Sequence, residues 1–111
     1  LAACCKGETV ITGTVRLTHK ESNRADTLRE QFELLGIQIE NRDNKMYIQG
    51  SEKIMGGKVS SCHDHRIAMA LSIMASVSEE SIILEGANAV NKSYPDFFEH
   101  LELIGAQIIK N

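Results

Sequence analysis

Aromatic side chains are scarce in this chain: Trp is absent, and Phe, Tyr and Trp together make up 5% of its 111 residues. A general nucleic-acid binder stacks bases on rings and carries an excess of Lys and Arg. Here 12 basic residues stand against 15 acidic ones, for a net charge of −3, so no nucleic-acid partner is expected. Cysteine is nearly as sparse. Cys4, Cys5 and Cys62 make an odd count without CxxC spacing, which argues against a disulfide framework or a thiolate zinc site and points to a reducing, cytoplasmic setting. Cys4 and Cys5 read as small-residue packing at a helix end, and Cys62 as filler. No apolar run approaches the ~18 residues of a membrane span, so no membrane partner is expected. The chain also lacks an initiator Met: it opens Leu1-Ala2-Ala3-Cys4-Cys5, which reads as the end of a helix in a longer protein.

What is present fits one modest core: 42% hydrophobic and 24% charged residues are ordinary for a globular chain. A near-repeat organises it. Glu33-Leu34-Leu35-Gly36-Ile37-Gln38-Ile39 returns as Glu102-Leu103-Ile104-Gly105-Ala106-Gln107-Ile108, and Glu8-Thr9-Val10-Ile11-Thr12-Gly13 parallels Glu80 to Gly86. The order helix end, strand, polar loop with a lysine, amphipathic helix, Gly, strand therefore occurs twice. The expected organisation is a single fragment, 1–111, of about one and a half repeat units, roughly 1–50 and 51–111.

Periodicity places the elements. Ala25, Leu28, Phe32 and Leu35 form one helical stripe, capped by Asn23 with Asp26 behind it and stopped by Gly36. A second helix, Ile67 to about Val77, is apolar nearly all round and reads as buried between layers. The third begins with Ser93-Tyr94-Pro95-Asp96, a capping-box pattern, and ends at Gly105. Strands are expected at Thr9–Thr12, Val15–Leu17, Ile37–Glu40, Met46–Gln49, Ile82–Leu84 and Gln107–Ile109, with a hairpin turn at Asn41–Asn44. The class is α+β, a mixed sheet with packed helices.

One arrangement recurs three times: a cation-bearing cluster just ahead of a helix start. The clusters are His19-Lys20-Glu21-Ser22-Asn23-Arg24, His63-Asp64-His65-Arg66 and Asn91-Lys92-Ser93-Tyr94-Pro95-Asp96. A helix N-terminus already carries about half a positive charge, so a cation there costs roughly 0.3–1 kcal/mol unless an anion is expected. Lys20 and Arg24 either pair with Glu21 in a solvated turn or seat a phosphate or carboxylate. Glu21, between cations, should stay ionised and could serve proton transfer. Two His at i, i+2 resemble part of a metal site, but no third ligand has suitable spacing and Arg66 repels a cation, so no metal is expected. Arg66 lies in the first turn of the most apolar helix, where burial would be expensive without a bound partner.

With these residues in view, the chain resembles the C-terminal part of the 5-enolpyruvylshikimate-3-phosphate synthase family. Lys20-Glu21-Ser22-Asn23-Arg24 is similar to its Lys-Glu-Ser/Thr-Asp/Asn-Arg motif, and Asp64-His65-Arg66 before an Ala/Met-rich helix to its Asp-His-Arg motif. Lys92-Ser93-Tyr94-Pro95-Asp96-Phe97-Phe98 is similar to its Lys-Ser/Thr-Phe/Tyr-Pro-Asp-Phe/Tyr-Phe motif. The resemblance implies a lobe of βαβαββ repeats of the enolpyruvyl transferase type, with the site in a cleft against a missing N-terminal lobe. It implies transfer of the enolpyruvyl group of phosphoenolpyruvate to the 5-hydroxyl of shikimate 3-phosphate, with release of phosphate and without metal or other cofactor. Arg24, Arg66 and Lys92 would hold phosphoenolpyruvate, and Lys20 would contact the shikimate phosphate. Glu21 would move a proton at the methylene carbon, Lys92 would help phosphate leave, and Asp64 and His65 would mainly orient Arg66. The fragment alone would be inert. Two other readings stay open: a piece of the sister enzyme that acts on UDP-N-acetylglucosamine, and a non-catalytic anion-binding module on the same fold.

Overall fold

The structure, a computed structural model, describes residues 1–110. After a 3-10 turn at Ala2–Cys4 come β1 (Glu8–Thr12), a 3-10 helix (Thr14–His19) and α1 (Arg24–Leu34); β2 (Ile39–Arg42) and β3 (Lys45–Gln49) follow. The second half runs β4 (Gly57–Ser60), α2 (His65–Val77), β5 (Ile82–Glu85), a 3-10 helix (Ala87–Lys92) and α3 (Phe97–Leu103). The strands divide between an antiparallel sheet in the order β1-β3-β2 and a parallel pair, β4-β5. The class is α+β, as expected.

Local chemistry explains most of these boundaries. Asn23 caps α1: its Oδ1 accepts from the Asp26 N–H at 3.2 Å, and its Nδ2 donates to the Asp26 carboxylate at 2.9 Å. Gly36, at φ 81°, closes α1 with the Ile37 N–H donating to the Phe32 carbonyl at 3.0 Å. Only a residue without Cβ takes that left-handed position freely. Sixty-nine residues on, the Ala106 N–H donates to the Leu101 carbonyl at 3.1 Å around Gly105. The first half of each repeated stretch also matches in conformation. Gly13 and Gly86, both left-handed, each follow a strand and start a six-residue 3-10 helix. Lys20 comes directly after the first of these helices and Lys92 ends the second.

Several expected elements are corrected. Val15–Leu17 is not a strand, because three consecutive N–H groups are taken by one distant residue. The Asn44 carbonyl accepts from Gly13 and Thr14 at 2.8 and 3.3 Å, and the Asn44 side chain accepts from Val15 at 2.9 Å. The chain coils there instead of extending. The hairpin turn is two residues, Asp43 and Asn44, both at positive φ, so Arg42 pairs with Lys45. Ile37 therefore lies ahead of β2. Gln107–Ile109 has no ladder partner among the described residues and forms no strand. β4 was not anticipated; it exists through its parallel pairing with β5. Ser93 does not cap α3, which starts at Phe97 after Asp96 without a side-chain cap bond.

The core lies between the helices α1 and α2 and the two sheets. Leu35, Ile37, Val59, Ile67 and Leu71 are all within 2% of full burial, each gaining about 1.5–3 kcal/mol from leaving water. Ala68, with no exposure, lets Ala89 and Val90 of the second 3-10 helix approach α2 closely. The remaining face of α2 is not covered, with Ile73 and Val77 about half exposed. Cys4 and Cys5 are exposed rather than packed.

Candidate functional site

The site is organised by a tight turn at the end of β4. Cys62 and His63 both have positive φ, and the Asp64 N–H donates back to the Ser61 carbonyl at 2.9 Å. That reversal delivers Asp64 as the N-cap of α2, its Oδ1 accepting from the Arg66 N–H at 3.0 Å. Asp64 is completely buried. A buried carboxylate must be matched by donors and charge, and α1 supplies both. Arg24 reaches it with two bonds, Nε to Oδ2 at 2.9 Å and Nη2 to Oδ1 at 3.2 Å, and the Ser22 hydroxyl donates to Oδ2 at 2.7 Å. Arg24 also contacts the Glu21 carboxylate at 2.5 Å. The first motif is thus tied to the second through one buried ion pair.

Burial pushes the Asp64 carboxyl up, but the bonds from Arg24, Ser22 and the Arg66 N–H, together with the Arg24 charge, outweigh it and hold it below the usual 3.8. Glu21 is also lowered from its usual 4.5. Its own backbone N–H is the main cause, partial desolvation opposes, and the nearby Arg24 and His65 assist against the repulsion of Asp64. Both groups are carboxylates at neutral pH. Glu21, about half exposed, is the one with an open face for accepting a proton.

His65 is buried, and its Nδ1 has no hydrogen-bond partner among the described residues. The third motif joins at the same turn, where the Lys92 ammonium donates to the His63 carbonyl. Glu21, Arg24, Asp64 and His65 therefore form one cluster, with Lys92 linked to its edge. Lys20 and Arg66 are exposed and make no side-chain bond among the described residues, which leaves their charges open to solvent. The buried arginine is Arg24, and Asp64 bonds the Arg24 side chain while meeting Arg66 at its backbone N–H. Spacing found no third ligand near His65, yet the fold brings Glu21, Asp64 and His65 within 4.8 Å of one another. Both carboxylates, however, already bond Arg24, so a guanidinium stands where a metal would compete.

Sequence reasoning passed over Ser22 and Ser61. Ser22 sits inside a charged motif, but a hydroxyl among charges gives no periodic signal.

The sequence model of EPSP synthase (3-phosphoshikimate 1-carboxyvinyltransferase) matches residues 1–101. Among similar proteins, the 3-phosphoshikimate 1-carboxyvinyltransferases of Sulfurihydrogenibium sp. (strain YO3AOP1) and Persephonella marina are each 46% identical over 104 residues, covering 94% of this chain and 24% of theirs. A solved EPSP synthase from Acinetobacter baumannii superposes with a TM-score of 0.84 at 32% identity, covering 92% of this chain and 24% of that one. A second structure of EPSP synthase from that organism gives 0.87 at 29% identity over 99% of this chain. The chain spans about a quarter of the length of these relatives. The matches extend over nearly the whole of this chain, and the chain belongs to the EPSP synthase (3-phosphoshikimate 1-carboxyvinyltransferase) family.

Proposed function

We propose that this chain forms part of the active site of an enolpyruvyl transferase, one that moves the enolpyruvyl group of phosphoenolpyruvate to the 5-hydroxyl of shikimate 3-phosphate. The observation that carries this reading is the meeting of three cation-bearing motifs at the Ser61–Arg66 turn, around the buried Arg24–Asp64 pair. Both substrates bear a phosphate and a carboxylate, and the exposed heads of Lys20, Arg66 and Lys92 supply charge for them.

Arg24, Arg66 and Lys92 hold phosphoenolpyruvate, and Lys20 contacts the phosphate of the acceptor near the reacting centre. The acceptor hydroxyl adds to C2 of phosphoenolpyruvate while the methylene carbon gains a proton. Loss of a methyl proton then expels phosphate, with Lys92 assisting its departure. Glu21, held ionised, takes the proton the acceptor hydroxyl gives up and passes it to that carbon, then takes one back from the methyl group as phosphate leaves. Asp64 positions Arg24 and the start of α2, and His65 lines the cluster. Fixed charges aimed at the developing negative charge do most of the work, and no cofactor is called for. The partners are the two substrates and an N-terminal lobe of the same protein, in the cytoplasm. The chain contributes about one and a half repeat units, roughly 1–50 and 51–111, and is inert without the rest.

Phosphate release by the full-length protein from both substrates tests this. Glu21→Gln should lower kcat by roughly 10²–10⁴-fold, the range for a lost general acid–base group, with KM changed far less. Turnover that requires UDP-N-acetylglucosamine as acceptor would assign the sister reaction. Ligand binding that Glu21→Gln leaves untouched, without turnover, would leave only an anion-binding module.

A further inference from the structure

Ser61 has no side-chain exposure, and all three of its polar groups are used. Its N–H donates to the Glu85 carbonyl at 3.0 Å, its carbonyl accepts from the Asp64 N–H at 2.9 Å, and its hydroxyl donates to the Gly86 carbonyl at 2.8 Å. One residue thus starts the turn that carries Asp64, His65 and Arg66, and grips the residue that starts the 3-10 helix ending in Lys92. We infer that Ser61 is a positioning residue that sets the Lys92 ammonium against that turn; the inference rests on the transferase reading only for its consequence on turnover.

The geometry closes a ring. From Gly86 the 3-10 helix runs Ala87–Lys92, pinned along its length by Ala89 and Val90 against Ala68 of α2. At its end the Lys92 ammonium returns to the His63 carbonyl, two residues beyond Ser61. The ring is therefore held at its Gly86 end by the Ser61 hydroxyl, beside the Ser61 N–H bond to the Glu85 carbonyl, and at its far end by the Lys92 ammonium. Gly86 is shaped for its part: a Cβ there would lie 2.6 Å from the Ser61 hydroxyl oxygen, at a φ of +71° that side chains rarely adopt. The turn is fixed on its other side as well. The Ser60 N–H donates at 2.7 Å to the side-chain oxygen of Gln31, on the helix that begins with Arg24. Ser60 and Ser61 thus locate the turn between the arginine of the first motif and the lysine of the third. A hydroxyl that merely satisfied a buried polar atom would have no reason to act on Lys92.

Ser61→Ala and Ser61→Thr in the full-length protein test this through two independent readouts. Under limiting acetic anhydride, with labelled sites counted by mass spectrometry, Ser61→Ala should raise acetylation at Lys92 at least about threefold while Lys45 and Lys53 stay unchanged, as expected when a bonded amine is released. In turnover, kcat should fall roughly tenfold, within the range for small misplacements of a reacting group, with KM for phosphoenolpyruvate altered much less. Ser61→Thr, which keeps the donor, should restore most of both. Unchanged labelling at Lys92, or a uniform rise across all lysines, overturns the inference, because the hydroxyl would then serve the fold as a whole. If the unmutated protein releases no phosphate, the transferase reading falls, and the labelling contrast still decides the role of Ser61.

Discussion

Replacing Asp64 by Asn keeps its shape and removes its charge, and the donors around it make the cost calculable. Four hydrogen bonds converge on the carboxylate: from the Ser22 hydroxyl at 2.7 Å, Arg24 Nε at 2.9 Å, Arg24 Nη2 at 3.2 Å and the Arg66 N–H at 3.0 Å. An amide offers one accepting oxygen and turns an NH₂ towards the other donors. The Ser22 hydroxyl can rotate and accept, but the guanidinium and the Arg66 N–H cannot. In either amide orientation Arg24 loses at least one bond, and it keeps as counter-charge only Glu21, whose side chain is 46% exposed. Breaking a buried ion pair from one side costs about 3–5 kcal/mol. The residual pairing with Glu21 and the isosteric change put Asp64→Asn near the lower end, about 3 kcal/mol, out of the roughly 5–15 kcal/mol a typical domain holds. Urea unfolding followed by far-UV circular dichroism measures it.

Acid provides the internal control. The Asp64 carboxyl is held below 3.8 in the folded protein. Its contribution is then fully present above the unfolded value and disappears as pH falls through the lower, folded one. The gap between the unmutated protein and Asp64→Asn should therefore be full at pH 7 and shrink in the acid range below about 4. A gap below about 1 kcal/mol, the worth of an exposed pair, or one that does not shrink on acidification, would refute the account of Asp64 as a buried, charge-matched anchor.

Other substitutions probe the frame that carries the site. Asn23→Ala removes the α1 cap and should cost about 1 kcal/mol, with faster amide exchange confined to the first turn of α1. Leu71→Ala, at a fully buried position of α2, should cost about 2–5 kcal/mol in urea unfolding. Gly86→Ala places a side chain at φ +71° against Ser61 and should cost about 1–3 kcal/mol; applied to Ser61→Ala it should cost less, because the crowding oxygen is gone.

The parts of the fold legible in the sequence were those whose signals are local. α1 could be read from Asn23 through Gly36 because its cap, stripe and stop all lie within one segment. The hairpin was legible for the same reason, though Asp43 and Asn44 at positive φ make its turn tighter than the polar run suggests. What escaped depends on partners far along the chain. Val15–Leu17 coils because Asn44, 29 residues from Val15, takes the N–H groups of Gly13, Thr14 and Val15, and β4 becomes a strand only beside β5. Among the candidate site residues, the motifs marked Glu21, Arg24, Asp64 and Lys92, but no spacing says that Asp64 turns towards Arg24 rather than towards the Arg66 side chain. The near-repeat was legible as a pattern of glycines, and the structure gives those glycines matching conformations at Gly13 and Gly86.

The bonds that join the three motifs cross long stretches of chain: 42 residues from Ser22 to Asp64, 40 from Arg24 to Asp64 and 29 from Lys92 to His63. Contacts of such high sequence separation form only after the entropy of closing those loops has been met by other interactions. Helix α1, the hairpin and α2 can take shape from near-neighbour contacts, but the cluster exists only once α1 has docked beside β4. The order of events expected during folding is local elements first and the charged cluster last. A change that merely loosens that docking, such as loss of the Gln31 bond to the Ser60 N–H, would disperse the cluster while every helix remained intact.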